Sequence, residues 1–219
     1  IALVLAVFEP NLIANGRLLT TDLGLALFMT LTMWRLWVWL ERPLRRNLIL
    51  TGILAGCTMA AKFTGVMVWP MMAGVMGIWR LQTGDWRVRP RQSLQSLVSS
   101  LFFMALAAYA ALWAIYRFDF GLIPGSSFPL PIPAPFYPYS LWDTFRVIEE
   151  QPKAAFLLGQ VSDRGWWYYF PVALALKTSL PLLGLTVVGL FVAVKDKGWG
   201  KTAVLWLPPL LFMLLAMTG

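Results

Sequence analysis

Long blocks of apolar residues, separated by short polar connections, make up most of the chain. These blocks are residues 1–14, 23–40, 48–61, 63–79, 94–116, 171–194 and 202–219. The longer ones approach the about 20 residues that a helix needs to cross a bilayer. The pattern shows neither the alternation of a membrane β-barrel nor the polar stripe of a soluble helical bundle. We therefore predict an all-α, polytopic bundle of transmembrane helices.

The basic residues in the connections predict the orientation of these helices. Residues 41–46, 80–91 and 195–201 together carry ten basic and three acidic residues, whereas the connections on the opposite side carry six basic and seven acidic residues. Because Lys and Arg concentrate in cytoplasmic connections, the first side is predicted to be cytoplasmic. The same distribution explains the net charge of +8 without a nucleic-acid partner.

The composition narrows the class of protein further. Hydrophobic residues make up 59% of the 219 positions and charged residues only 13%, which is too little polar surface for a soluble domain. The chain has no histidine with which to build a His-based catalytic or metal site, and its single cysteine, Cys57, permits no internal disulfide. Both ends lie inside apolar runs, so we expect a piece of a longer protein.

One connection differs from the others in length and in proline content. Residues 118–165 contain six prolines between positions 124 and 138, a spacing that favours extended or polyproline II backbone. We predict a short surface helix over residues 142–151, capped by Ser140. A loop of this length is either a linker or, as we favour, a lid or binding surface. The predicted division is residues 1–116, transmembrane helices; 117–165, an extracytoplasmic loop; and 166–219, an interfacial aromatic segment with further transmembrane helices.

Polar residues on the predicted outward side fall into three groups, of which the first surrounds Asp22. Helix capping by Thr20 or Thr21, with Asp22 in the first turn, accounts for part of this group. Capping does not account for Glu9 or Arg17 at the same depth. Because ionisable groups at membrane depth are costly, they usually mark a functional cavity.

The second group centres on Lys62, which separates two short apolar blocks. The 14 residues of block 48–61 give a helix of roughly 21 Å, shorter than the about 30 Å of the hydrocarbon core. Lys62 is therefore predicted to lie in a recess, where it would hold an anion. The alternative is a lysine that extends towards the lipid headgroups.

The third group combines an aromatic run, which includes Trp166 and Tyr168, with Lys177. Thr178 or Ser179 is predicted to cap a helix whose N-terminus faces outward, and a lysine beside such an N-terminus suits a phosphate. An ordinary interfacial aromatic belt is the alternative for the run itself. Taken together, the three groups predict a site for an anionic lipid headgroup. Its predicted members are Asp22 as the catalytic-site carboxylate, Arg17, Lys62 and Lys177 as phosphate ligands, and Glu9, Asn15, Trp166 and Tyr168 as lining.

These residues carry a resemblance to a known family. Residues 15–23 (NGRLLTTDL), followed by the turn 62–64 (KFT), resemble bacterial relatives of the dolichyl-phosphate-mannose protein mannosyltransferases and the aminoarabinose transferases that modify lipid A. Residues 156–162 (FLLGQVS) and 165–171 (GWWYYFP), with Lys177-Thr178, resemble bacterial members of the same group, so the resemblance covers most of residues 1–181. It implies a C-type glycosyltransferase fold, a sugar donor on a polyprenyl phosphate, and a main catalytic carboxylate upstream of this chain. Asn15 stands where the family often has histidine.

The sequence therefore predicts a glycosyltransferase of the bacterial inner membrane that acts on the extracytoplasmic side. Its partners would be the polyprenyl-phosphate donor, membrane lipid and an acceptor lipid, glycan or protein. A requirement for a divalent metal stays open. A transporter or flippase for an anionic lipid or solute would use the same basic recess without chemistry, although such proteins often contain internal repeats and none is evident here. A non-catalytic membrane scaffold is the third interpretation.

Overall fold

The computed structural model describes residues 8–17, 21–84, 90–126, 129–150, 155–157, 159–162, 166–195 and 202–218. In chain order its helices are α1 (Pro10–Arg17), α2 (Thr21–Glu41), α3 (Arg45–Ala61), a 3-10 helix (Phe63–Met67), α4 (Val68–Thr83), α5 (Pro90–Ile115), α6 (Phe136–Glu150), α7 (Tyr169–Lys177), α8 (Leu180–Lys195) and α9 (Ala203–Thr218). Two short antiparallel pairs complete the described part: β1 (Phe120–Gly121) with β2 (Ile132–Pro133), and β3 (Ala155–Leu157) with β4 (Gln160–Ser162). The prediction of an all-α architecture is confirmed.

Within the described residues, helix length and composition identify the membrane-crossing segments. α2 and residues Gln92–Ile115 of α5 are each long and apolar enough to cross a bilayer. Tyr169–Lys177 and Leu180–Val192 form a third candidate span, bent by 119° between the two helices. The bend falls where the sequence predicted that a span begins, just after Lys177. The helices therefore confirm a membrane protein.

Close packing of α3 against α5 forms the centre of the bundle. A side chain at Gly52 would lie 2.7 Å from the Cβ of Ala107, and one at Gly56 would overlap the backbone of Ala108. The two glycines are four residues apart, so they share one face of α3 and let the backbones approach, as small residues do in membrane helices. α2 joins the other side of α3 through a buried hydrogen bond of 3.0 Å between the hydroxyls of Thr32 and Thr58.

A methionine-rich core fills the space between α2, α4 and α5. Its fully or almost fully buried members include Met33, Met71, Met72, Met76 and Met104. Methionine is flexible and polarisable, so it fills irregular gaps between packed helices. The same core includes Ala55 of α3, so it packs α2, α3, α4 and α5 together and thereby sets the positions of the residues at their ends.

The connection after α5 is folded against the end of that helix. The hydroxyl of Tyr109 donates to the Pro133 carbonyl at 2.5 Å, and the indole of Trp113 donates to the Asp119 carbonyl at 2.8 Å. The Tyr137 side chain, only 5% exposed, packs on Phe63 with ring centroids 5.9 Å apart. The first part of this proline-rich segment is therefore docked on the turn that follows Lys62.

One prediction about local structure was wrong. The surface helix begins at Phe136 rather than at residue 142, and Ser140 lies inside it, where its carbonyl accepts a hydrogen bond from Thr144. Pro138 in the first turn is compatible with this earlier start because first-turn amides have no helical acceptor. Of the first apolar block, the structure describes residues 8–14, where a turn at Phe8 precedes α1, which starts at Pro10.

Candidate functional site

Lys62 lies at a sharp break between α3 and the 3-10 helix. Its backbone is extended, with φ −158° and ψ 145°, and its carbonyl accepts a hydrogen bond of 2.8 Å from the Gly65 amide. A side chain at Gly65 would overlap the Thr58 carbonyl, so only glycine allows the chain to fold back this closely over α3. The interruption between apolar blocks that the sequence shows at Lys62 is therefore a tight turn in the structure.

The Lys62 ammonium pairs with the carboxylate of Asp22. The distance between Lys62 Nζ and Asp22 Oδ1 is 2.5 Å, although the residues are 40 positions apart. Asp22 lies in the first turn of α2, so the start of α2 and the end of α3 meet here. The side chains are 40% and 57% exposed. An exposed ion pair typically contributes only about 0–1 kcal/mol to stability, so a competing anion can displace Asp22 from Lys62 at small cost.

A second polar contact joins the first and third sequence groups. The Ser179 hydroxyl donates to Glu9 Oε2 at 2.8 Å across 170 positions of sequence. Glu9 is only 8% exposed, so its carboxylate is largely shielded from solvent. Ser179 directly precedes α8, and the hydrogen bond that its hydroxyl donates to Glu9 holds a carboxylate near the helix start. Negative charge is favourable there because the helix dipole is positive at its N-terminus.

An apolar groove runs between α2 and α9 and begins at Asp22. Its volume is about 950 Å³. Its lining on α2 extends from Asp22 to Glu41, which corresponds to roughly 28 Å of helix, close to the about 30 Å of a bilayer core. The residues that line it are Asp22, Leu25, Ala26, Met29, Thr30, Met33, Trp34, Trp37, Glu41, Thr202, Val204, Leu205, Pro208, Pro209 and Phe212. The groove thus places a long hydrophobic surface directly beside the Asp22–Lys62 pair.

The other predicted site residues are placed as follows. Asn15 and Arg17 lie on α1, which contacts α2, but their side chains fall outside the described part of the chain. Lys177 ends α7 and is exposed, and α7 packs against α9, whose other side chains line the groove. Trp166 and Tyr168 lie just before α7, with ring centroids 6.5 Å apart.

The described residues contain no group of three or more His, Cys, Asp or Glu side chains arranged to hold a metal ion. The site as described is instead a lysine–carboxylate pair beside an apolar groove. Two of its features were not predicted from the sequence, the pairing of Asp22 with Lys62 and the contribution of α9. The signal for the pairing was that Asp22 stands at the start of one predicted helix and Lys62 at the end of the next, which puts both on the same side of the membrane.

The helices and their apolar surfaces define an all-α membrane protein. Within this class, residues 1–121 match the family model described as dolichyl-phosphate-mannose-protein mannosyltransferase. This match covers more than half of the chain, and the chain belongs to that family. It is therefore a membrane glycosyltransferase, which favours the enzyme over the transporter and scaffold interpretations. The matched residues include both Asp22 and Lys62. No curated protein and no solved structure matches the chain.

Proposed function

We propose that the protein transfers a sugar from a polyprenyl-phosphate donor to an acceptor on the extracytoplasmic side of the bacterial inner membrane, which it crosses several times. The observation that carries this proposal is the Asp22–Lys62 pair at the head of the apolar groove. A donor of this kind has a long apolar tail and a phosphate at one end. The site offers an apolar groove with a cation beside one end.

In the proposed complex, the polyprenyl tail lies along the groove between α2 and α9 and brings its phosphate to Lys62. The phosphate replaces Asp22 as the partner of the ammonium. Lys62 is held at a defined position by the Gly65 turn and by the Phe63–Tyr137 contact, so its charge is available without further ordering. Arg17 and Lys177 are proposed as additional phosphate ligands, and Glu9, Asn15, Trp166 and Tyr168 as the lining around the sugar and phosphate.

The proposed reaction is a displacement at the anomeric carbon of the donor. A bond forms between the acceptor oxygen and the anomeric carbon, while the bond from that carbon to the phosphate oxygen breaks. The proton of the acceptor goes to a carboxylate, which the family resemblance assigns to a segment upstream of this chain. Negative charge grows on the departing phosphate, and Lys62 stabilises it more in the transition state than before. Asp22, released from Lys62, orients Arg17 or the acceptor.

The proposed topology agrees with the fold at both ends of α3. Lys62 follows the C-terminus of this helix, and the arginine-rich connection at residues 42–46 lies at its N-terminus. If that connection is cytoplasmic, the ion pair faces the opposite compartment. Soluble nucleotide sugars are then excluded as donors by location. The division into residues 1–116, 117–165 and 166–219 is retained as part of this proposal.

The test is transfer from a defined polyprenyl-phosphate sugar by the purified full-length protein, normalised to folded protein. Lys62→Met keeps length and apolar packing but removes the charge. It should lower turnover at least about tenfold, because a charge-assisted contact contributes about 1.5–3 kcal/mol. Lys62→Arg should retain part of the activity, because a planar guanidinium replaces a point charge imperfectly. Lys195→Met, an exposed lysine at the far end of α8, is the matched control and should leave turnover unchanged.

The outcomes separate this role from a lysine that only reaches for headgroups. In that case Arg would substitute fully and Met would change yield rather than turnover. Wild-type turnover in Lys62→Met would remove Lys62 from the site and overturn the proposed phosphate contact.

A further inference from the structure

A second groove lies on another face of the bundle, between α3 and α5. Its volume is about 630 Å³, within the range of about 300–1,000 Å³ that is usual for ligand sites. Its lining is apolar apart from one arginine: Arg45, Leu48, Ile49, Phe103, Leu106, Ala107 and Ala110. It shares no residue with the groove between α2 and α9. We propose that this groove binds an anionic glycerophospholipid, with its acyl chain in the groove and its phosphate at Arg45.

The dimensions of the groove fit one leaflet of a bilayer. α3 and α5 run parallel here, because Gly52 lies beside Met104 and Gly56 beside Ala108. With this register Ala110 stands level with residue 58, so the lining extends about 13 residues beyond Arg45. This distance is roughly 20 Å of helix, somewhat more than half of the about 30 Å hydrocarbon core. The arginine therefore lies at the end where a lipid headgroup would be, and the rest of the groove lies at acyl-chain depth.

The charge at this end favours an anionic headgroup. Arg42, Arg45 and Arg46 are all exposed and lie within five positions, with Glu41 as the adjacent acidic residue. The connection that carries them is fixed by Asn47, whose amide donates to the Arg42 carbonyl at 2.9 Å while its oxygen accepts from Arg35 at 2.7 Å. Basic pockets between membrane helices bind the headgroups of anionic lipids. This groove opens at the end of α3 opposite Lys62, so it is separate from the proposed donor site.

The test measures lipid retention by the full-length protein and requires no enzyme activity. Protein purified from nanodiscs of mixed phosphatidylglycerol and phosphatidylcholine is analysed by native mass spectrometry. Wild type should retain phosphatidylglycerol in preference to phosphatidylcholine. Arg45→Gln should weaken this retention at least about tenfold through loss of one charge-assisted contact. Because nanodiscs have the same lipids in both leaflets, the result does not depend on the proposed topology.

Two substitutions test the apolar part of the site. Ala110→Trp fills the groove and should abolish retention, whereas Ala114→Trp, at an exposed position of α5 outside the lining, should not. Lys195→Gln removes an equal charge elsewhere and should retain lipid as wild type does. Equal retention of the two phospholipids by wild type, or unchanged retention in both Arg45→Gln and Ala110→Trp, would overturn the proposal. Cross-linking of Ile49→Cys to another segment of the same protein would also overturn it, because protein would then cover the groove.

Discussion

Alanine at Gly56 should destabilise the protein, although alanine usually stabilises a helix. The new Cβ would lie 3.1 Å from the carbonyl carbon of Ala108 and would overlap its oxygen. A backbone carbonyl cannot rotate away as a side chain can, so α3 and α5 must separate. Overpacking of this kind costs about 1–3 kcal/mol, and the higher helix propensity of alanine returns about 0.8–1.0 kcal/mol. We expect a net loss of up to about 2 kcal/mol.

Gly189→Ala is the matched control, because nothing lies within 4 Å of a Cβ at that position of α8. This variant should be neutral or more stable by up to about 1 kcal/mol. The assay is the unfolding midpoint of the full-length protein in mixed micelles titrated with sodium dodecyl sulfate. Lys62 lies six positions after Gly56, so a shift of α3 should also displace Lys62 and reduce sugar transfer. Gly189→Ala should leave transfer unchanged. If Gly56→Ala gained stability as Gly189→Ala does, the close contact between α3 and α5 would be refuted.

Three further predictions test other parts of the molecule. Asp22→Asn should reduce transfer at least about tenfold while expression stays near normal. Full activity of this variant would show that Asp22 only stabilises the start of α2, because Asn caps a helix almost as well as Asp. Burial raises the pKa of Tyr137 from 10.0 to about 12. Between about pH 10 and pH 12 the unfolded state therefore binds fewer protons than the folded state, so the wild-type protein should lose stability as the pH rises through this range. Tyr137→Phe should remove this loss in unfolding measurements, and an unchanged pH profile would contradict the burial of the phenol. In a variant without Cys57, an impermeant thiol reagent applied to whole cells should label Ser126→Cys but not Thr83→Cys, and the reverse pattern would invert the proposed orientation.

The sequence alone determined the class of protein and the main divisions of its helices. In lipid, every charged residue and every unpaired backbone group is costly. A membrane helix is therefore visible in the sequence as a long, continuous apolar block. The break at Lys62 and the break after Lys177 were predictable for the same reason, because both interrupt apolar runs. Asp22 in the first turn of α2 was predictable too, since acidic residues at a helix start have a local electrostatic reason.

One feature of the packing is present in the sequence as a local signal, although it was not among our predictions. Gly52 and Gly56 have the spacing of small residues that bring membrane helices together. The spacing predicts a contact face on α3, but it does not identify α5 as the partner. The start of α6 at Phe136 was missed for a related reason. Pro138 favours an extended chain in isolation, whereas the burial of Tyr137 against Phe63 stabilises a helix that contains the proline in its first turn.

Only the tertiary structure decided which polar groups meet. Asp22 pairs with Lys62 across 40 positions, and Glu9 accepts a hydrogen bond from Ser179 across 170. Both grooves also depend on which helices are neighbours. An apolar block predicts that a helix is shielded from water. Lipid and another helix shield it equally well, so the composition of the block does not specify which helix packs against it. The choice is made by close contacts between particular faces, such as Gly56 on Ala108 and Thr32 on Thr58, and these contacts exist only when the whole bundle is assembled.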